Sequence, residues 1–109
     1  MKMQVNIGRI EEIVGTDSDM KKVLLGMFLD TCTRVNATLN NSFSLPAADS
    51  EKVWKEAVHE LKGAAMNLGF EDLADYCKQI EKNELDINKK KEAISILAAA
   101  TEDVRKLLN

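Results

Sequence analysis

Apolar residues recur along this chain in steps of three and four, and little interrupts them. One proline and five glycines are spread over 109 residues. That is too little turn material for an all-β fold, which needs many tight reversals. Steps of three and four place side chains on one face of an α-helix. The chain is therefore expected to fold as helices throughout, each with an apolar stripe that another helix must cover.

The interruptions set the helix boundaries. Ile7, Ile10, Ile13 and Val14 mark a short first helix that stops at Gly15. Thr16 or Asp17 then caps a long second helix by accepting hydrogen bonds from its first free N–H groups. Its stripe is Met20, Leu24, Phe28, Thr31, Val35, Leu39 and Ser42, widened by Leu25, Leu29 and Cys32. Gly26 costs this helix roughly 1 kcal/mol against Ala, and is there either for close packing or because it is tolerated. Pro46 cannot continue a helix interior, so residues 45–49 form the clearest break, and Asp49 or Ser50 starts the third helix. Trp54, Val58, Leu61, Ala65 and Leu68 form its stripe and Gly69 ends it. A fourth helix runs from Phe70 or Glu71 to Lys82, with Leu73, Tyr76, Cys77 and Ile80 inward. Residues 83–88 connect it to a fifth, with Asn88 as N-cap. Ile94, Leu97, Thr101, Val104 and Leu108 form a seam suited to bundle packing. One all-α domain over residues 1–109 is predicted: an antiparallel four-helix bundle with the short N-terminal helix as an additional cap. The narrow stripes are consumed within one bundle, so a monomer is expected.

Composition removes several function classes. Fifteen Lys and Arg against 18 Asp and Glu give a net charge of −3, which disfavours a generally basic nucleic-acid binder. The apolar run at residues 96–100 is far too short to cross a bilayer, so no membrane insertion is expected. Arg9, Glu11 and Glu12 interrupt the opening stretch, which lacks a signal core. Cys32 and Cys77 lie 45 positions apart in helical patterns and read as buried free thiols of a cytoplasmic protein rather than a disulfide. A single His without clustered Cys leaves no structural zinc site. Lys89, Lys90 and Lys91, followed by Glu92, read as a solvated face.

The third helix carries a face that the core does not need. With Trp54 at the centre of the stripe, His59 falls about 140° away at 100° per residue. Lys62, Lys55, Met66, Lys52 and Gly63 fall at about 80°, 100°, 120°, 160° and 180°. The only histidine thus sits among cations on a convex outer face, beside a glycine that removes a side chain one turn on. A lone surface His usually does nothing, outer-face lysines are usually solvated, and an exposed Met is often incidental. The joint pattern is less ordinary, because a mid-helix Gly carries a penalty. Neutral imidazole is a competent nucleophile near neutral pH. The anionic oxygens of a phosphorylated imidazole could be stabilised by Lys62 and Lys55.

The run His59-Glu60-Leu61-Lys62-Gly63-Ala64-Ala65-Met66-Asn67-Leu68-Gly69 closely resembles the H-x-L-K-G-[AS]-[AS]-x-x-L-G signature of histidine-containing phosphotransfer (HPt) domains. The likeness extends from about residue 7 to 84. It takes in the Gly15-Thr16-Asp17 break, Phe28-Leu29, and Leu73, Cys77, Ile80 and Glu81. The resemblance implies that His59 accepts a phosphoryl group on Nε2, that Lys62 accompanies it, and that Gly63 lets a receiver domain approach. Position 81 stands where some members have a Gln that bonds the histidine ring. Here Glu81 could hold Nδ1–H and orient the ring, or point to solvent. Ala64 stands where some members carry Ser, so a hydroxyl contact is lost.

The implied partners are response-regulator receiver domains, a hybrid histidine kinase, or both. The implied reaction is a two-way relay between receiver aspartates, with Mg²⁺ on the receiver and no cofactor bound by this chain. No autokinase activity is expected, because no Gly-rich phosphate loop is present. Docking is expected to use Met66 and exposed members of the second helix such as Leu25 or Leu29. The rivals are a docking module of the same fold that is never phosphorylated, and a structural bundle in which His59 is incidental.

Overall fold

Capping chemistry decides where each helix begins and ends. The computed structural model describes residues 8–108. Five helices follow one another: α1 (Gly8–Val14), α2 (Ser18–Ser42), α3 (Ala47–Leu68), α4 (Glu71–Lys82) and α5 (Ile87–Lys106). Ile7, expected in the first helix, lies outside the described residues. Gly15 leaves α1 in the left-handed region at φ 60°, and Asp17 then caps α2, accepting from the Met20 N–H at 3.0 Å.

Two helix starts differ from the sequence expectation. α3 opens at Ala47, not at Asp49 or Ser50. Proline is excluded from a helix interior but suits its entrance, where its absent N–H would have had no partner. Pro46 occupies the N-cap position, and its carbonyl accepts from the Ser50 N–H at 2.8 Å. α5 opens at Ile87, so the cap is Asp86 rather than Asn88; its carboxylate accepts from the Lys89 N–H at 2.8 Å. Gly69 ends α3 as expected, at φ 78°, with its N–H turned back to the last turn of the helix.

The stripes close into one core. Leu25, Phe28, Leu29, Cys32, Val35 and Leu39 of α2 meet Trp54, Val58, Leu61 and Ala65 of α3 and Leu73, Cys77 and Ile80 of α4. α5 adds Ala93, Leu97, Ala100 and Val104. Phe28 and Phe70 pack ring on ring with centroids 4.9 Å apart. The buried seam of α2 is rotated from the expected one: Leu25 and Leu29 are central, Leu24 and Thr31 stand at its edge, and Met20 is exposed. Leu25 and Leu29 are therefore core residues and not docking residues. The seam of α5 is likewise shifted onto Ala93 and Ala100, with Ile94 and Leu108 only half-buried. Short alanines let neighbouring helices approach, so they take central places that the larger apolar residues were expected to hold.

The lysine run is also corrected. Lys89 and Lys91 are exposed, but Lys90 is buried. Its ammonium pairs with Glu51 at 2.7 Å and lies 5.2 Å from the centroid of the Trp54 ring. A long aliphatic stem can be buried along apolar surface while its charge finds a carboxylate and an aromatic face. The bundle measures 47 × 21 × 19 Å, and α1 packs on α2. No described helix is long and apolar enough to cross a membrane.

Candidate functional site

His59 sits in the middle of α3, off its buried stripe, with 67% of its side chain exposed. α4 brings Glu81 against the same side of α3. One carboxylate there serves two partners: Oε1 lies 2.7 Å from His59 Nδ1, and Oε2 accepts from Lys62 Nζ at 2.7 Å. Lys62 and Glu81 are largely covered, at 21% and 25% side-chain exposure. The Lys62 hydrogen bond holds the Glu81 carboxyl below its ordinary value, against an opposing effect of burial, and the His59 bond adds to the lowering.

This geometry fixes the imidazole chemically. An ionised carboxylate can only accept, so the proton of the neutral ring belongs on Nδ1, donated to Glu81. Nε2 is left with its lone pair. A short His–carboxylate bond of this kind also restricts ring rotation. The pair spans two helices, so the ring orientation depends on how α3 and α4 pack.

On the other flank, Arg34 of α2 grips Glu60 with both terminal guanidinium nitrogens, Nη1 and Nη2, at 2.7 and 2.6 Å. The Arg34 hydrogen bond lowers the Glu60 carboxyl. This clamp ties α2 to α3 at the residue next to His59. Sequence reasoning missed Arg34, which lies 26 positions from its partner and on no apolar stripe. Only the facing of two helices could reveal it.

His59, Lys62 and Glu81 are thus brought together. Lys55 and Met66 are exposed on α3, one turn before and two turns after His59. Lys55 forms no ion pair among the described residues. A Cβ built on Gly63 would meet nothing within 4 Å, so internal packing does not require a glycine there. A cavity of about 750 Å³ between α1, α3 and α4 is lined by Arg9, Glu12, Lys62, Met66, Glu71 and Lys78 among others. His59 is not in its walls and stands outside it. No group of three or more His, Cys, Asp or Glu among the described residues could hold a metal ion.

A family model described as Hpt domain matches residues 23–107. No curated protein and no solved structure matches the chain.

Proposed function

The chain belongs to the Hpt domain family of two-component signalling, and from that premise we propose that it is the histidine-bearing intermediate of a phosphorelay. His59 accepts a phosphoryl group from one receiver-domain aspartate and passes it to another. The observation that carries this reading is the bond from Nδ1 of His59, the first residue of the signature run, to Glu81 on the next helix, which leaves Nε2 as the nucleophilic nitrogen of an exposed ring.

The step is an in-line displacement. The Nε2 lone pair attacks phosphorus, an N–P bond forms, and the acyl O–P bond of the aspartyl phosphate breaks with its electron pair left on the aspartate. The ring keeps its Nδ1 proton throughout, held on Glu81, and the phosphorylated ring is cationic opposite that carboxylate. In the reverse step a neutral imidazole leaves, which is easier than expelling an imidazolate. Phosphoryl transfer depends largely on positioning and charge stabilisation. Lys62 supplies positive charge beside the incoming oxygens, Lys55 adds a second cation, and Gly63 leaves the approach open. The acidic pocket and Mg²⁺ belong to the receiver. Receivers, alone or as part of a hybrid histidine kinase, are the partners, and two buried free thiols suit a cytoplasmic setting.

The test is transfer from a panel of radiolabelled phosphorylated receivers to the wild-type chain and to His59→Gln. Acid-labile, base-stable label on the wild type alone is the expected result. Receiver binding without label would establish the docking module that is never phosphorylated. The absence of both would leave only the fold.

A further inference from the structure

The group that holds the His59 ring is a charged one. Glu81 Oε1 lies 2.7 Å from His59 Nδ1, and Oε2 accepts from Lys62 Nζ at 2.7 Å. The Lys62 bond is the main reason the carboxyl sits below its ordinary value, so Glu81 is ionised throughout the neutral range. An amide at position 81 would accept the same Nδ1–H and orient the ring as well. What the carboxylate adds is negative charge against the Nδ1 side of the ring, on a side chain only 25% exposed and so partly shielded from water.

That charge matters once the ring is phosphorylated. With Nε2 bonded to phosphorus, the ring either keeps its Nδ1 proton and is cationic, or loses the proton and is uncharged. The cationic form releases the phosphoryl group as neutral imidazole, whereas the uncharged form would have to expel imidazolate. With a neutral acceptor, the proton leaves near the ordinary imidazole value of about 6.5, and each pH unit above it leaves about a tenth as much cation. An opposite charge at hydrogen-bond distance favours the charged form. The other charges nearby are distributed as follows. On α3, Lys55 is exposed and Glu60 is taken by Arg34 of α2. On α4, Lys78 and Lys82 are exposed and Cys77 is held neutral by burial. From α1, Arg9 and Glu12 stand across the cavity that Lys62 lines. Of all the described charges, those of α5 included, Lys62 and His59 are the ones that act on Glu81.

We infer that the Glu81 carboxylate, braced by Lys62, makes phosphoryl exchange at His59 proton-neutral and so insulates it from pH across the neutral range. This rests on the relay reading above and adds to it what the charge at position 81 is for. On uptake the N–P bond forms, the acyl O–P bond breaks with its electron pair left on aspartate, and Nδ1–H stays in place. On release the N–P bond breaks with its pair returned to Nε2, and the same proton is still on Nδ1. No proton enters or leaves the site in either direction. With Gln at position 81, the phosphorylated ring would give its proton to water as pH rises, and would have to recover it before release. Glu81 acts through the ring and does not touch phosphorus, so it is a positioning residue. Lys62 and Lys55 oppose a cationic ring, and the phosphoryl oxygens favour it in wild type and variant alike. The comparison of Glu with Gln therefore isolates the carboxylate.

The chain has a single histidine, so ¹⁵N-histidine labelling reports one ring. Wild type, Glu81→Gln and the control Glu60→Gln, each checked for folding by circular dichroism, are phosphorylated with phosphoramidate, a small donor that needs no partner. The Nδ1 resonance is then followed by NMR from pH 6 to pH 8.5. Wild type and Glu60→Gln are expected to keep the Nδ1 proton over this range, and Glu81→Gln to lose it near the ordinary imidazole value of about 6.5. Release to the receiver that the panel identifies should follow: relative to wild type, Glu81→Gln should be about tenfold or more slower at pH 8.5 than at pH 6. Loss of the wild-type proton in the same range as in Glu81→Gln would overturn the proposal. Retention in both would show that the carboxylate's charge is not the cause, and would overturn it too. A ratio of release rates that does not change with pH would reduce Glu81 to a structural contact. A wild type that phosphoramidate cannot label on His59 would remove the relay reading and the proposal together. A labelled ring that keeps its proton while no receiver gives or takes the group would overturn the relay reading alone.

Discussion

At the residue scale, three glycines separate by what surrounds them. Gly26 and Gly63 sit inside helices with open space where a Cβ would stand, so neither is held by packing. Gly26→Ala and Gly63→Ala are each expected to stabilise the fold by up to about 1 kcal/mol, read from denaturant midpoints. Gly63→Gln should also fold well, yet slow transfer from a receiver severalfold, because its longer side chain stands beside His59. Gly69 is the opposite case. It lies at φ 78°, and a Cβ there would overlap the Cβ of Arg9. Gly69→Ala should therefore cost more than 1 kcal/mol, of which backbone strain alone accounts for roughly 1. At the site, Lys62→Ala is expected to slow transfer or shorten phosphohistidine lifetime more than Lys55→Ala. Lys62 is the cation bonded into the Glu81 arrangement.

At the scale of elements, the site depends on two helix pairings, α3 with α4 through Glu81 and α2 with α3 through Arg34. The first has a pH signature. A carboxyl held below its ordinary value contributes stability that is present above that value, 4.5, and lost as pH falls through the folded-state value. The melting-temperature difference between wild type and Glu81→Gln should therefore be constant near neutrality and shrink below pH 4.5. Arg34→Ala should have only a small effect on stability, reduced further by salt, since the pair is exposed. The caps act locally: Asp17→Ala and Asp86→Ala should each cost about 1 kcal/mol by leaving a first-turn N–H without its acceptor.

At the scale of the molecule, one rod-shaped bundle 47 Å long buries both thiols while presenting His59 on its outside. Burial pushes Cys32 up to about 11 and Cys77 up to about 12, so neither forms thiolate near neutrality. Both cysteines should resist thiol reagents in the native protein and react at the rate of large-scale opening, which thiol titration with and without denaturant would read. His59→Gln should leave the helical circular dichroism and melting temperature near wild type, because the ring stands off the buried stripe.

The helices were legible in the spacing of apolar residues, and the same spacing placed His59, Lys62 and Gly63 off the buried stripe of one helix. Periodicity needs only local spacing, and the run from His59 to Gly69 lies within a single helix and its cap, so register alone could place its members. Helix entrances were less legible, because Pro46, Asp86 and Asn88 all fit a helix start in isolation. Tertiary structure decided what depends on two elements meeting. It turned Leu25 and Leu29 inward and left Met20, Val23 and Met27 outside, since a stripe wider than one face does not say which edge its neighbour will cover. It buried Lys90 from a run that looked solvated, because Glu51 and Trp54 of another helix were there to receive it. It also set Glu81 between His59 and Lys62. The sequence left that carboxylate free to face the ring or solvent, and the packing of α4 on α3 decides between them.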